Sequence, residues 1–188
     1  MVGGCVRNSI LKRQTRDIDC AVNKKPDTII NILRKNNIKF NDFAKKYGLV
    51  SAVVNGLKFE ITSLRKDINQ QGRDTEIIYT NDWEIDASRR DFTINAIYLT
   101  GEGKIIDYFD GMRDIEENKI KFIGGIEKRI TEDYLRIFRY YRFLGIFEKP
   151  KVEDFYEKIL LKYLSKSFQI LSNDIIREEI LKMLKNPF

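Results

Sequence analysis

Hydrophobic and polar positions follow three different rhythms along this chain. In "RDIDCAV" (residues 16–22) apolar residues fall at every second position, which predicts a strand with one buried face. "PDTIINILRKNN" switches to helical spacing with Pro26 in its first turn, predicting an amphipathic helix. "LVSAVVNGLKFEITSL" holds two β-branched runs split by Asn55-Gly56, a hairpin signal. Ahead of these, "VGGCVRN" reads as the end of a strand, two glycines and a helix over residues 5–13. Residues 65–75 turn polar and predict a mobile loop. Asn81 or Asp82 is placed to cap a helix through "WEIDASRR". "RDFTINAIYL" is apolar and predicts buried helix or turn, "KIIDYF" a short strand, and "DGMRDIEEN" a turn and short helix.

Past "NKIKFIGG" only the helical rhythm remains. Thr131 is expected to cap a strongly patterned helix, "EDYLRIFRYYRFLG", with acidic residues in its first turn. Two further helices are expected over residues 153–164 and 173–184, with "SKSFQILS" between them. The outline is α+β to about residue 125, then all-helical. Expected domains are therefore 1–125 and 126–188.

Composition narrows the chemistry. Of 188 residues 43% are apolar and 33% charged, enough for a core. The net charge of +6, interleaved with nine Tyr and twelve Phe, favours an anionic partner such as nucleic acid. There is no histidine, so imidazole bases and imidazole-based zinc sites are excluded, and carboxylates are left as acid, base and metal ligands. Cys5 and Cys20 have no metal-site spacing and form no disulfide framework, which points to a reducing, cytoplasmic setting. No apolar run reaches membrane-spanning length, so no membrane association is expected.

Against this background "DID" stands out. Alternation puts Asp17 and Asp19 on one face of their strand. Two neighbouring carboxylates repel unless a cation lies between them, and Mg²⁺ takes such oxygen ligands while keeping room for substrate phosphate. The pair reads as half of a two-metal phosphoryl-transfer site, with Glu60 in "KFEIT" as the third acid. The plain alternative is a solvated strand edge paired to Arg13 or Arg16. Gly3 and Gly4, a dozen residues upstream, let backbone approach phosphate closely, and Arg7 adds a charge one turn in.

Taken in order, "GGCVRN…RDIDCAV", "FEITSLRKD", "RRDFTINAIY", "DYFDGMRDIEENKIKFIG" and "RITEDYLRIFRYYRF" resemble the bacterial class II CCA-adding tRNA nucleotidyltransferase / poly(A) polymerase family, of the DNA polymerase β-like nucleotidyltransferase superfamily. The resemblance covers nearly the whole chain. It implies a nucleotidyltransferase head with a mixed or antiparallel sheet and flanking helices, followed by an incomplete helical neck. Asp17 and Asp19 match the metal-binding pair, Glu60 the third acid, and Gly4 and Arg7 the triphosphate contacts. Arg90 matches a nucleotide-binding arginine, with Asp91 and Asn95 near the ribose. Asp133 and Arg136 match the pair that recognises the base, followed by Arg139 and Arg142 in the same series. "DIIREEILKML" resembles a helix motif that supports the recognition helix. Asn8 and Ser63 depart from the family's usual Asp and Thr. Family members also extend beyond this chain at both ends, so a truncated member is expected.

"EDYLR" has a physical reading of its own. Residues three apart on a helix are neighbours, so Asp133 and Arg136 would present an acceptor beside a donor. Cytosine and adenine offer the matching amine and ring nitrogen, whereas uracil and guanine reverse them and leave polar groups unpaired. The alternative is an ordinary surface ion pair. The expected activity is Mg²⁺-dependent addition of CCA to tRNA 3′ ends from CTP and ATP. Poly(A) polymerase, partial CC or A addition, and a non-catalytic RNA- or nucleotide-binding fragment are the alternatives, and the sequence leaves the oligomeric state open.

Overall fold

A computed structural model gives the fold. It describes every residue except Arg16, Gly72 and Arg73, and only the backbone of residues 69–71, 74 and 75. The chain divides into two compact units: Met1–Ile68 with Glu76–Arg90 and Asn95–Phe109, and Asn69–Thr75 with Asp91–Ile94 and Asp110–Phe188.

The first unit is built on a mixed sheet of β1 (Asp17–Val22), β2 (Lys39–Asn41), β3 (Leu49–Val54) and β4 (Leu57–Ser63), in the order β1-β4-β3-β2. β1 runs parallel to β4, and the other neighbours are antiparallel. Val54 pairs with Leu57 across Asn55-Gly56, which take φ of 50° and 78°. A two-residue turn of this hand needs positive φ at both positions, which is why Asn-Gly stands there. Helix α2 (Pro26–Lys35) starts on Pro26 and lays Ile29, Ile30 and Leu33 over Val50 and Ala52, with Val22, Phe40 and Ile61 completing the cluster. Each of the buried Ile, Leu and Val side chains contributes about 2 kcal/mol by leaving water. Helix α1 (Gly4–Ile10) stops three residues earlier than expected, with Lys12 at a φ of 55°.

The polar stretch after Leu64 is a pair of strands, not the expected loop. Strands β5 (Arg65–Gln71) and β6 (Asp74–Tyr79) form their own two-stranded sheet. The ladder holds them through main-chain hydrogen bonds, so no apolar alternation announces them in sequence. The tip of that expected loop, Gly72-Arg73, lies outside the described residues. In helix α3 (Trp83–Ser88) the Asp82 carboxylate accepts from the Glu84 and Ile85 amides at 2.8 and 3.1 Å, as the capping pattern predicts. "RDFTINAIYL" is buried, but it resolves into a 3₁₀ turn at Thr93–Asn95 and strand β7 (Ile97–Leu99). β7 pairs with β8 (Ile105–Asp107), and Val2 bridges to Tyr98.

The second unit is helical: α4 (Gly111–Glu116), α5 (Ile126–Glu132), α6 (Leu135–Leu144), α7 (Asp154–Ile170) and α8 (Asn173–Met183). Its core is aromatic. Phe92 lies 4.7 Å from Phe122 and 5.5 Å from Phe143, while Phe122, Tyr140 and Tyr156 stack in nearly parallel planes. Thr131 is not a cap; it sits in the last turn of α5 and donates to the Glu127 and Lys128 carbonyls. The break comes two residues later, where Asp133 is extended (φ −155°) and its own carboxylate accepts from the Leu135 amide at 3.0 Å. α7 also outruns the expectation, because Ser167 bonds back to the Leu164 carbonyl inside the helix and does not end it. Among the described residues, no helix is long and apolar enough to cross a membrane.

Candidate active site

In the first unit, the parallel register sets Asp17 beside Lys58 and Asp19 beside Glu60. Asp17, Asp19, Lys58 and Glu60 therefore share a face, opposite the one on which Val22 and Ile61 pack under α2. Burial first, then the charges of Glu60 and Asp17, push the Asp19 carboxyl above its ordinary range, while Arg90 and Lys58 pull it back. Glu60 itself is held by Lys58, whose Nζ lies 2.6 Å from Oε1. A solvated edge paired through Arg16 would involve a residue outside the described ones.

The glycines close this face. Gly3 has a φ of 74°, open to glycine and strained for other residues. A Cβ placed on it would come within 3.3 Å of Arg90 Nη1, 3.5 Å of the Asn95 carbonyl and 4.0 Å of an Asp19 oxygen. The bare backbone at Gly3 is thus what lets the arginine and the carboxylate face one another. Arg90 donates to the Asn95 carbonyl at 3.4 Å, and its guanidinium lies 5.5 Å over the Tyr98 ring. Arg7 donates to the Asn95 side chain and, at 2.9 Å, to Asn8. Asn8, a departure from the family pattern, is thereby a neutral acceptor for Arg7. Gly4 opens α1 beside this group.

One residue that sequence reasoning missed anchors Arg90. Asp86, 1% exposed, accepts from Tyr98 Oη at 2.8 Å and Arg89 Nε at 2.9 Å, and pairs with Arg90 Nη2 at 3.4 Å. Burial, the largest influence, would raise its carboxyl, but Arg89, Arg90 and the hydrogen bonds outweigh it and hold the group below its ordinary value. The available signal was local: an acid three and four residues before two arginines on a short helix.

In the second unit the predicted base-reading residues are arranged differently from the helical picture. Asp133 lies in the break between α5 and α6, so it and Arg136 are not neighbours on one helix. The Arg136 guanidinium is buried, donating to the Arg129 carbonyl at 2.6 Å and to Glu132 at 2.8 Å. Glu132 also takes Arg129 at 2.7 Å and so joins the two helices across their break. Arg139 donates through Nε to Asp91 at 2.7 Å, and Arg142 pairs with Glu179 of α8 at 3.0 Å. Asp91 and the two later arginines thus have partners within their own unit. Glu132 and Glu179 escaped the sequence reading.

The donors on β1 and β4 are all hard oxygens, and an ammonium already stands among them, so the face suits a cation. Among the described residues, no three His, Cys, Asp or Glu side chains converge into a ready metal cage. What the chain offers is an open carboxylate pair, Asp17 and Asp19, with Glu60 alongside.

Comparison with known proteins bears on this geometry. The family described as "Poly A polymerase head domain" matches residues 1–121. The chain belongs to that family. Among curated relatives, human mitochondrial CCA tRNA nucleotidyltransferase 1 is 40% identical over 156 residues, covering 82% of this chain and 36% of its own length. The CCA-adding enzyme of Bacillus subtilis is 35% identical, over 87% of this chain and 42% of its own. The CCA-adding enzyme of Bacillus stearothermophilus, solved in complex with CTP, superposes with a TM-score of 0.84 at 32% identity, over all of this chain and 44% of that one. A tRNA nucleotidyltransferase complexed with a primer tRNA and an incoming ATP analogue gives a TM-score of 0.77 at 26% identity, over 98% and 54%. This head-domain chain therefore spans less than half the length of the curated relatives named. Nucleotide and divalent-metal binding are general in its family.

Proposed function

We propose that this chain carries the catalytic portion of an RNA nucleotidyltransferase that adds CCA to tRNA 3′ ends from CTP and ATP. The observation that carries the reading is the shared face of Asp17, Asp19 and Glu60, with Gly3 and Arg90 set against Asp19. Residues 1–125 would be the catalytic head and 126–188 a helical neck. CTP, ATP and the tRNA 3′ end are taken as substrates because relatives and structural neighbours carry those names and ligands.

Asp17 and Asp19 would hold Mg²⁺, with Glu60 as the third acid; when bound, the ion supplies charge neutralisation at the α-phosphate and at the attacking 3′-hydroxyl. The chain's own residues do the rest. Arg90, fixed by Asp86 and the Asn95 carbonyl, and Arg7, fixed by Asn95 and Asn8, present guanidinium charge to phosphate oxygens. Gly3 and Gly4 keep side-chain bulk out of the phosphates' approach. Asp133 and Arg136 would select the base, Asp133 through the oxygen left over from capping α6. Arg139 and Arg142 keep that helix in place for them, with Asp91 and Glu179 as their anchors. The two free cysteines fit a cytoplasmic setting.

The purified chain is to be incubated with Mg²⁺ and tRNA ending before CCA, with labelled nucleotides supplied singly and together. Ordered addition of two C and one A, lost in Asp17→Ala/Asp19→Ala, supports the reading. The family's description favours poly(A) addition as the second reading, and incorporation of ATP alone in long runs would select it. No incorporation while CTP still binds would leave a nucleotide-binding fragment in place of an enzyme.

A further inference from the structure

Lys58 is a cation among the acids that the proposed reading gives to a metal. It precedes Glu60 by two residues on β4, so both side chains leave the same face of the sheet, and Asp17 is its partner in the register. Its Nζ lies 2.6 Å from Glu60 Oε1, and it is half exposed at 49%. One ammonium is thus bonded to Glu60 and stands beside Asp17 in the register. A lysine is suited to leave again, being a point charge on a flexible stem with no planar fork to break.

We propose that Lys58 is a resident counter-ion which holds Glu60 until a divalent cation arrives and is displaced from it on loading, so that Lys58 sets the metal affinity of the Asp17/Asp19/Glu60 face. The inference rests on the proposed metal site. The ammonium and the ion compete for the same carboxylate, and a positive charge left close to the ion repels it. Removing that charge is therefore expected to tighten metal binding. For a pair this exposed the gain is about three- to fivefold.

The test is Mn²⁺ binding by the intact chain without nucleotide or RNA, followed by electron paramagnetic resonance of the free ion at about 0.15 M salt, where exposed charges beyond roughly 8 Å are screened. Lys58→Met is expected to bind Mn²⁺ about three- to fivefold more tightly than the unsubstituted chain. Lys24→Met makes the same change in net charge at an exposed position outside the sheet and is expected to leave the affinity where it was. In Glu60→Gln the competition has no object, so adding Lys58→Met there is expected to change affinity by much less. Equal affinities for Lys58→Met and the unsubstituted chain, with binding lost in Asp17→Ala/Asp19→Ala, would overturn the role of Lys58 and leave the metal site standing. Binding that survives the double aspartate substitution would overturn both. Circular dichroism melts of each variant confirm that a folded chain is being titrated.

Discussion

Asp17, Asp19 and Glu60 in the first unit and Asp91, Glu132 and Glu179 in the second are two sets of three carboxylates, each surrounded by arginine or lysine. In the second set every acid meets its own guanidinium: Arg139 on Asp91, Arg129 and Arg136 on Glu132, Arg142 on Glu179. In the first, the acids lean on one another. Burial first, then Glu60 and Asp17, raise the Asp19 carboxyl, and one arginine and one half-exposed lysine oppose them. The difference teaches how to tell a brace from a site when both look like charge clusters. A brace has its charges matched and buried, so it stabilises the fold at rest; a site keeps like charges together at the edge of solvent and is complete only with a ligand.

The largest effect that would sharpen this contrast is catalytic. Asp17→Ala/Asp19→Ala is expected to lower nucleotide incorporation by about a thousandfold or more, the scale on which metal-dependent phosphoryl transfer depends on its ligands. The melting temperature should stay equal or rise, because two repelling carboxylates have gone. A fall of several degrees would mean that the pair holds the fold, and the contrast would fail. Arg139→Leu should do the reverse. It takes the guanidinium away from the Asp91 carboxylate, 9% exposed, and is expected to cost about 3 kcal/mol in a denaturant titration, at the lower end for a buried pair because Asp91 keeps the Phe92 amide and Arg139 is partly exposed. A cost below about 0.5 kcal/mol would class that pair with ordinary surface bridges.

What the sequence disclosed follows the same line between local and distant causes. The Asn55-Gly56 turn, the Asp82 cap, the Pro26 helix start and the Asp17/Asp19 alternation all depend on residues within a few positions of one another, and all are present. β5 and β6 were hidden because their ladder gives no hydrophobic period. Helix α5 was hidden because Thr131 reads as the start of the following helix, whereas the Asp133 carboxylate bonds the Leu135 amide and begins α6 two residues later. The motif arginines were visible, but not their partners: Arg139 meets a residue 48 positions away, and Arg142 one 37 away. Such pairings follow from packing alone. Asp86 was the exception, local and still missed, because an acid on a short helix usually faces water.

Asp86 also tests the contrast from within the first unit, since it is a matched carboxylate beside an unmatched set. Its folded pKa lies below its unfolded one, so its contribution to stability is present above the ordinary aspartate value of about 4 and is lost as pH falls through the lower folded value. Asp86→Asn should therefore cost about 2 kcal/mol at neutral pH and flatten the loss of stability as pH falls below about 4, read from denaturant titrations on the acid side of neutrality. An acid limb as steep as that of the unsubstituted chain would give the effect to other carboxylates. At the bottom of the scale, Lys162 and Glu127 make a pair just as short, 2.8 Å, but 61% and 50% exposed. Solvent already screens both charges, and holding two long side chains together costs most of what their attraction returns. Lys162→Ala is accordingly expected to leave the unfolding midpoint where it was. A clear shift would show that distance alone ranks these pairs, and burial would lose its place as what separates a brace from a bridge.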